Sequence, residues 1–340
     1  SFTAHSLGAQ KLDKLGTSPA NFDTMDRRYR FSKRIAAERI GMSQAFKIFT
    51  STSQERLKQY AHPLYAGVVD VHDDIRFTVA PPGVNTKIFN TERSAADIGI
   101  GKAINEKMHG NRKPSVLVSS RLDEKKHVLG VVEAYARSRA LQEQAMLAIF
   151  LRGIDDPDSE IYKLHQTERS ILQPILDTIK KNKLSEKVFF FNIRSQQELA
   201  ASYKHFASLG SVFALTAYYE PFGLALIEAA ACGLAVVATK NGGPSEIFAD
   251  RSGILIDPFD TQNIAAGLFR GIKDFRALSK KGMKRVASNY SWQRAAEVYL
   301  NVIREGVKQR HTKRFDIRNL NASQRLKTYL EKKEASTRNP

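Results

Sequence analysis

The stretch Val212-Phe213-Ala214-Leu215-Thr216-Ala217-Tyr218-Tyr219-Glu220-Pro221-Phe222-Gly223-Leu224-Ala225-Leu226-Ile227-Glu228-Ala229-Ala230-Ala231-Cys232-Gly233-Leu234-Ala235-Val236-Val237-Ala238 reads as strand, loop, helix, turn and strand. Val212 to Leu215 and Ala235 to Ala238 are short apolar runs of the kind that fill a buried strand. Leu224 to Cys232 is a helical run that Gly233 stops at the position just beyond its end. The same alternation extends upstream: strand Ser115 to Ser119, helix near Leu129 to Arg139, strand Met146 to Leu151, helix near Tyr162 to Lys180, strand Val188 to Phe191 and helix Glu198 to Phe206. Strands that alternate with helices pair in parallel, so an α/β, doubly wound sheet is expected, with ligands at the carboxyl ends of its strands.

Nearer the amino end, Ser32 to Glu55 is helical first and strand-like through Phe46 to Thr50, and Phe77 to Ala80 is a strand ended by Pro81-Pro82-Gly83. Asn90 to Lys113 has weak periodicity and three glycines, and is expected to be a linker. Ser291 should cap one long amphipathic helix reaching about Lys308, and the residues beyond Gln309 are basic and polar, with little structure expected. The 340 residues therefore divide into 1–111, the remainder of a first Rossmann-like domain plus linker; 112–290, a second such domain; and 291–340, a returning helix with a basic tail. The chain begins Ser1-Phe2-Thr3 as if at the end of a strand, so the first domain is expected to be incomplete.

Composition excludes several classes. With 26% charged and 42% hydrophobic residues the chain is globular, not disordered. One cysteine, Cys232, supports neither a disulfide framework nor a cysteine-built zinc site. No apolar run approaches the roughly 20 residues of a membrane span and no leader opens the chain, so a cytoplasmic location is the default. The formal charge of +18, from 53 basic and 35 acidic residues, favours polyanions, anionic lipid or phosphorylated small molecules without choosing among them.

The chemistry concentrates in three loops. Glu220 follows a strand, and Phe222-Gly223-Leu224 opens the next helix, whose free N–H groups and dipole favour a phosphate or anionic oxygen. Glu228 lies eight residues on, and two carboxylates so spaced can hold hydroxyl pairs of a sugar; a lone pair of Glu is more often a helix-start carboxylate and a solvated residue. Thr239-Lys240-Asn241-Gly242-Gly243-Pro244 follows the next strand and offers a second glycine turn, either a further wall for an anion or a purely structural turn. Arg121 and Lys126 follow the first strand of the second domain, where two cations could clamp a diphosphate, although such residues are usually solvated.

Taken together these residues resemble the retaining glycosyltransferases of the sucrose-synthase and sucrose-phosphate-synthase type. The resemblance covers most of the chain and rests on Glu220…Glu228 within Glu-Pro-Phe-Gly-Leu, on Arg121…Lys126, on Pro81-Pro82-Gly83-Val84 and on Thr50 to Glu55. His5-Ser6-Leu7-Gly8-Ala9-Gln10-Lys11 and Lys240-Asn241-Gly242-Gly243-Pro244 look like the sucrose-phosphate-synthase branch. It implies the GT-B fold, two Rossmann-like domains facing across a cleft. By the same resemblance Arg121 and Lys126 would contact a donor diphosphate. Glu220 with the N–H groups of Phe222, Gly223 and Leu224 would hold the donor sugar and Glu228 the ribose, with Arg194 a further donor-binding residue in the loop Asn192-Ile193-Arg194-Ser195 that would select the base. His5 would sit over the transferred sugar, and Lys11 would bind the acceptor phosphate.

The implied reaction moves a hexose from a nucleotide sugar, UDP-glucose favoured, to fructose 6-phosphate with retained configuration. The close alternative is a GDP-mannose-dependent mannosylfructose-phosphate synthase. No cofactor and no structural metal are implied, a divalent ion being at most stimulatory. The family's glycine-rich loop in the first strand–helix unit is missing from this sequence, which puts some acceptor contacts and the activity of this chain alone in doubt. Two other classes compete: a polyanion-binding protein, against which stands the lack of an aromatic stacking platform among the basic residues, and a subunit that binds nucleotide sugar without turnover. No nucleic-acid partner is expected. The basic tail is compatible with a peripheral membrane contact, and the oligomeric state is not legible.

Overall fold

A computed structural model of the chain describes residues 1–4, 6–308 and 321–338. It separates into two compact units, one of residues 82–294 and one of residues 1–81 with 295–340. Residues 82–111, expected with the first domain, thus belong to the unit of residues 82–294.

The unit of residues 1–81 and 295–340 contains a three-stranded parallel sheet, with β1 (Phe2–Thr3), β2 (Ile48–Thr50) and β3 (Phe77–Val79) in that spatial order. Helices Gly8–Lys14, Phe22–Tyr29 and Phe31–Gln44 precede β2, and Leu12, Phe22, Phe31 and Ile35 from them enter one core with Ile48 and Phe77. Ser291 stands at the head of helix Trp292–Lys308, its Oγ accepting from the Arg294 N–H at 3.2 Å. Farther along that helix Tyr299 stacks on Phe49, centroids 4.0 Å apart. The basic carboxyl end is more ordered than expected: Ala322–Arg338 is a helix. Leu326 and Leu330, four apart on one face, are fully buried in the same core, so a sparse apolar stripe in a highly charged segment helps dock it. Tyr329 and Lys333, on an adjoining face, bond the Asp13 carboxylate, and His62 completes the cluster at 3.1 Å from Asp13. The rest of the expected basic tail, residues 309–320, lies outside the described residues.

In the other unit all six strands are parallel: β4 (Ser115–Ser119), β5 (Met146–Leu151), β6 (Val188–Asn192), β7 (Val212–Leu215), β8 (Ala235–Thr239) and β9 (Ile254–Ile256). Their spatial order is β6-β5-β4-β7-β8-β9. The order reverses between β4 and β7, and such a switch point opens a crevice at the carboxyl ends of the strands. Both faces are covered, which explains the continuous apolar runs: Leu117, Phe213 and Val236 pack on one side, and Val116, Val118, Val212 and Val237 on the other.

Two expectations need correction here. The expected linker contains helix Ala95–Lys107, capped by Ser94 and Asp97 through a reciprocal box. Its glycines weakened the periodicity, yet Gly101 is where the helix meets His205 of helix Gln196–Ser208: a Cβ there would lie 2.7 Å from the imidazole Nδ1. The helix expected near Leu129 to Arg139 ends at Arg137, and Ser138 caps a second helix, Arg139–Gln144.

Candidate functional site

Three loops at the carboxyl ends of β4, β7 and β8 lock together. Lys126, from the loop after β4, places Nζ 2.6 Å from Glu220 Oε2, from the loop after β7. Both side chains are largely buried, at 22% and 12% exposure, so each charge depends on the other. The main chain fixes the Glu220 loop from the opposite side: Glu220 N–H donates to Asn241 C=O at 3.1 Å and Gly243 N–H to Glu220 C=O at 2.9 Å. A Cβ on Gly242 would fall 2.1 Å from the Glu220 carbonyl oxygen, and one on Gly243 2.4 Å from that of Phe222. The Gly242-Gly243 turn therefore serves close backbone approach. One of the N–H groups that the sequence offered to an anion is already spent on Glu220, a correction to that half of the expected wall. Lys240, beside it, pairs with Asp257 at 2.8 Å.

The other half keeps its geometry. Gly223 adopts φ 109°, a left-handed conformation open to glycine, and begins helix Leu224–Ala231. The first bond that closes the helix runs from Leu226 N–H to Gly223 C=O at 3.0 Å, so the N–H groups of Gly223 and Leu224 precede it. Phe222 is buried against Tyr290 and anchors the turn, while Leu224 is exposed. Glu228 is half-buried on this helix, and burial pushes its carboxyl above the ordinary carboxylate range.

Arg121 is exposed and lines a cavity of about 490 Å³ at the ends of β4, β5 and β6, together with Ser119, Phe150, Ile193 and Arg194. Arg194 is itself tied to Asp155, 3.0 Å away, in an exposed pair. Arg121 and Arg194 thus share one hollow, and Lys126, Glu220 and the Gly223 turn share the neighbouring loop junction.

Two residues not singled out from the sequence hold this junction together. The His127 ring stacks on Tyr218 at 4.4 Å, and Tyr218 stacks in turn on exposed Phe259 at 5.1 Å. Tyr218 N–H donates to Lys125 C=O at 3.0 Å, and Thr216 Oγ1 to His127 C=O at 2.9 Å. His127 has φ 50°, a left-handed conformation that few residues other than Gly adopt and that Asn, Asp and His adopt more readily than most, and Gly130 makes room for its ring. Burial lowers the imidazole pKa, which favours the neutral ring in the stack. The only sequence signal was adjacency: His127 follows Lys126, and Tyr218 precedes Glu220 by two.

The family model "Glycosyl transferases group 1" matches residues 101–285, over half of the chain, and spans all of these loops. The chain belongs to the group 1 glycosyl transferases. A probable sucrose-phosphate synthase of Thermosipho melanesiensis is 40% identical to this transferase chain over 307 residues, 89% of this chain and 64% of that protein. The sucrose-phosphate synthase of Spinacia oleracea is 33% identical over 338 residues, 89% of this chain and 31% of its own. The chain therefore spans about two thirds of the bacterial relative and about a third of the plant one. Among solved structures, a sucrose-phosphate synthase from Thermosynechococcus elongatus superposes with a TM-score of 0.63 at 26% identity, over 90% of this chain and 67% of that one. Anabaena HepE, in complex with UDP and glucose, matches with a TM-score of 0.60 at 16% identity, over 90% of this chain and 70% of that one, a likeness of fold alone. The fold is accordingly a partial GT-B.

In this group 1 transferase the remaining candidates lie on the unit of residues 1–81. Lys11 is exposed on helix Gly8–Lys14, with Nζ 4.7 Å from the centre of the Tyr29 ring. The Gly8 N–H is bonded by the Glu38 carboxylate at 2.9 Å, and the Ala9 N–H by the Tyr65 hydroxyl at 3.2 Å, so these two groups at the helix start are already satisfied. His5 lies outside the described residues. Among the described residues no group of three or more His, Cys, Asp or Glu is arranged to hold a metal ion, and no helix is long and apolar enough to cross a membrane.

Proposed function

We propose that this chain carries the donor site of a retaining hexosyltransferase that moves glucose from UDP-glucose to fructose 6-phosphate, giving sucrose 6-phosphate. The observation that carries the reading is the Lys126–Glu220 pair at the switch point, beside the N–H groups of Gly223 and Leu224. Its chemistry suits the task. A departing diphosphate gathers negative charge as the glycosidic bond breaks, and Lys126 and Arg121 supply cations where that charge grows. Glu220, held by Lys126 and by the Asn241–Gly243 turn, orients the sugar and supports the positive character at its anomeric carbon. The incoming hydroxyl attacks the face that the phosphate leaves, and the phosphate oxygen accepts its proton. No carboxylate nucleophile is needed behind the sugar, unlike in retaining glycosidases.

Glu228, made less acidic by burial, is assigned to the ribose hydroxyls, Arg194 to the base side of the hollow and Lys11 to the acceptor phosphate. His5 is assigned to the transferred sugar. The three relatives named sucrose-phosphate synthase above support UDP-glucose and fructose 6-phosphate as the substrates, and none of those three is named for GDP-mannose.

The test is a product screen by mass spectrometry on the full protein, with UDP-glucose and GDP-mannose each offered fructose 6-phosphate and free fructose. Sucrose 6-phosphate from the first pair is expected. A product from GDP-mannose, or from free fructose alone, would overturn the substrate assignment. Donor binding without any product would reduce the reading to a nucleotide-sugar-binding subunit.

A further inference from the structure

A second polar hollow, of about 370 Å³, lies at the other end of the sheet from these loops. Arg112 approaches β4 from its amino end, and Ser208 and Leu209 precede the amino end of β7, whereas the Lys126–Glu220 junction sits at the carboxyl ends. Three cations line the hollow from separate stretches of chain: Arg93, Lys102 on helix Ala95–Lys107, and Arg112. Asp97 is the lining carboxylate, and it is already committed to Lys204 at 3.1 Å and to the Ser94 N–H at 2.8 Å. Neither Lys102 nor Arg112 has an ion pair among the described residues. The Arg93 guanidinium donates to the Lys204 carbonyl at 2.7 Å, which holds it at the rim.

His205, 9% exposed, lines the same hollow, with no hydrogen-bond partner for Nε2 among the described residues. Gly101 opposite leaves the ring its space. Burial first, and then Arg93 and Arg112, disfavour the protonated ring, so both guanidiniums act on the same imidazole. An unpartnered buried ring nitrogen in a hollow lined by three cations, two of them without an ion pair among the described residues, is an arrangement an oxyanion would complete.

We propose that this hollow is a binding site for a phosphate group, free or as a small phosphate monoester, separate from the nucleotide-sugar loops and independent of the proposed reaction. Guanidinium groups match phosphate oxygens in shape, and the volume exceeds what inorganic phosphate alone would fill.

The test follows the His205 ring by NMR in the full protein while inorganic phosphate, and in a second arm glycerol 3-phosphate, is added. A bound dianion should raise the His205 pKa, and Arg112→Gln, at an exposed position with no hydrogen bond or ion pair among the described residues, should weaken that response by about tenfold. Lys126→Gln should leave it intact, because any phosphate held by the donor loops is lost in that variant alone. Tighter binding of the monoester would identify an organic phosphate as the ligand, and equal binding would identify free phosphate. A His205 signal that neither anion moves, or an Arg112→Gln response equal to that of the unaltered protein, would overturn the proposal.

Discussion

Lys126 and Glu220, 94 positions apart in the chain, meet at 2.6 Å across the point where the strand order reverses. Neither charge has much water, so removing one strands the other. Lys126→Met should cost about 3 kcal/mol in a denaturant titration, and adding Glu220→Gln should restore part of that loss. Losses that simply add would show that the two groups do not depend on each other. In the product assay Glu220→Gln keeps the shape but not the charge, and should lower kcat by about a hundredfold or more.

The glycines divide into those that matter and those that do not. Gly242, at φ 97° and with the Glu220 carbonyl in the way of any Cβ, should lose more than about 2 kcal/mol on Gly242→Ala. Gly99 sits inside helix Ala95–Lys107 with nothing within 4 Å of a Cβ, so Gly99→Ala should stabilise by about 0.5–1 kcal/mol. Urea midpoints of the two variants check both signs.

Acid should weaken the protein partly through two histidines, His127 half-buried and His205 buried. Burial holds His127, and burial with Arg93 and Arg112 holds His205, below the ordinary value of 6.5. The unfolded chain therefore binds protons that the folded chain refuses, and stability falls as pH drops through 6.5 toward the lower folded values. His127→Asn, which tolerates the left-handed backbone, should flatten this fall while losing the stack on Tyr218. A decline between neutral and mildly acidic pH as steep as in the unaltered protein would exclude His127 as a contributor.

Asp13 is a second pH-sensitive point. Burial opposes its ionisation, but hydrogen bonds from His62 and Lys333 outweigh that and bring its pKa to about 2. Its contribution is complete above 3.8 and is lost as pH falls through about 2. Asp13→Ala should loosen helix Ala322–Arg338 at neutral pH, seen as amide exchange at least about tenfold faster there than in β4 to β8. Unchanged exchange would mean that Leu326 and Leu330 hold the helix by themselves.

The sheet of residues 115–239 was legible because a strand covered on both faces needs an unbroken apolar run, and a run such as Met146 to Leu151 has few other uses. The Glu220–Leu224 turn was legible for a related reason: a glycine before a helical run after a strand has few structural alternatives. What stayed hidden depends on partners far away in sequence. Helix Ala95–Lys107 looked like a linker because Gly101 saves space for a ring 104 positions on. The carboxyl-terminal helix shows two leucines in a charged segment, and only the core around Leu12 and Tyr65 gives them a place. Stacking of His127 on Tyr218 leaves no periodic trace at all.

The unit of residues 82–294 is continuous in the chain, whereas the other is assembled from both ends. On a ribosome the continuous unit can complete its sheet while synthesis proceeds. The split one must wait with Leu12, Phe22 and Tyr65 uncovered until Leu326 and Leu330 have been made. Its closing step joins residues more than 300 positions apart, the slowest kind of contact to form. A ribosome stalled before residue 322 should therefore display one protease-resistant unit and one that is still digestible, and truncation at the carboxyl end should harm the amino-terminal strands first.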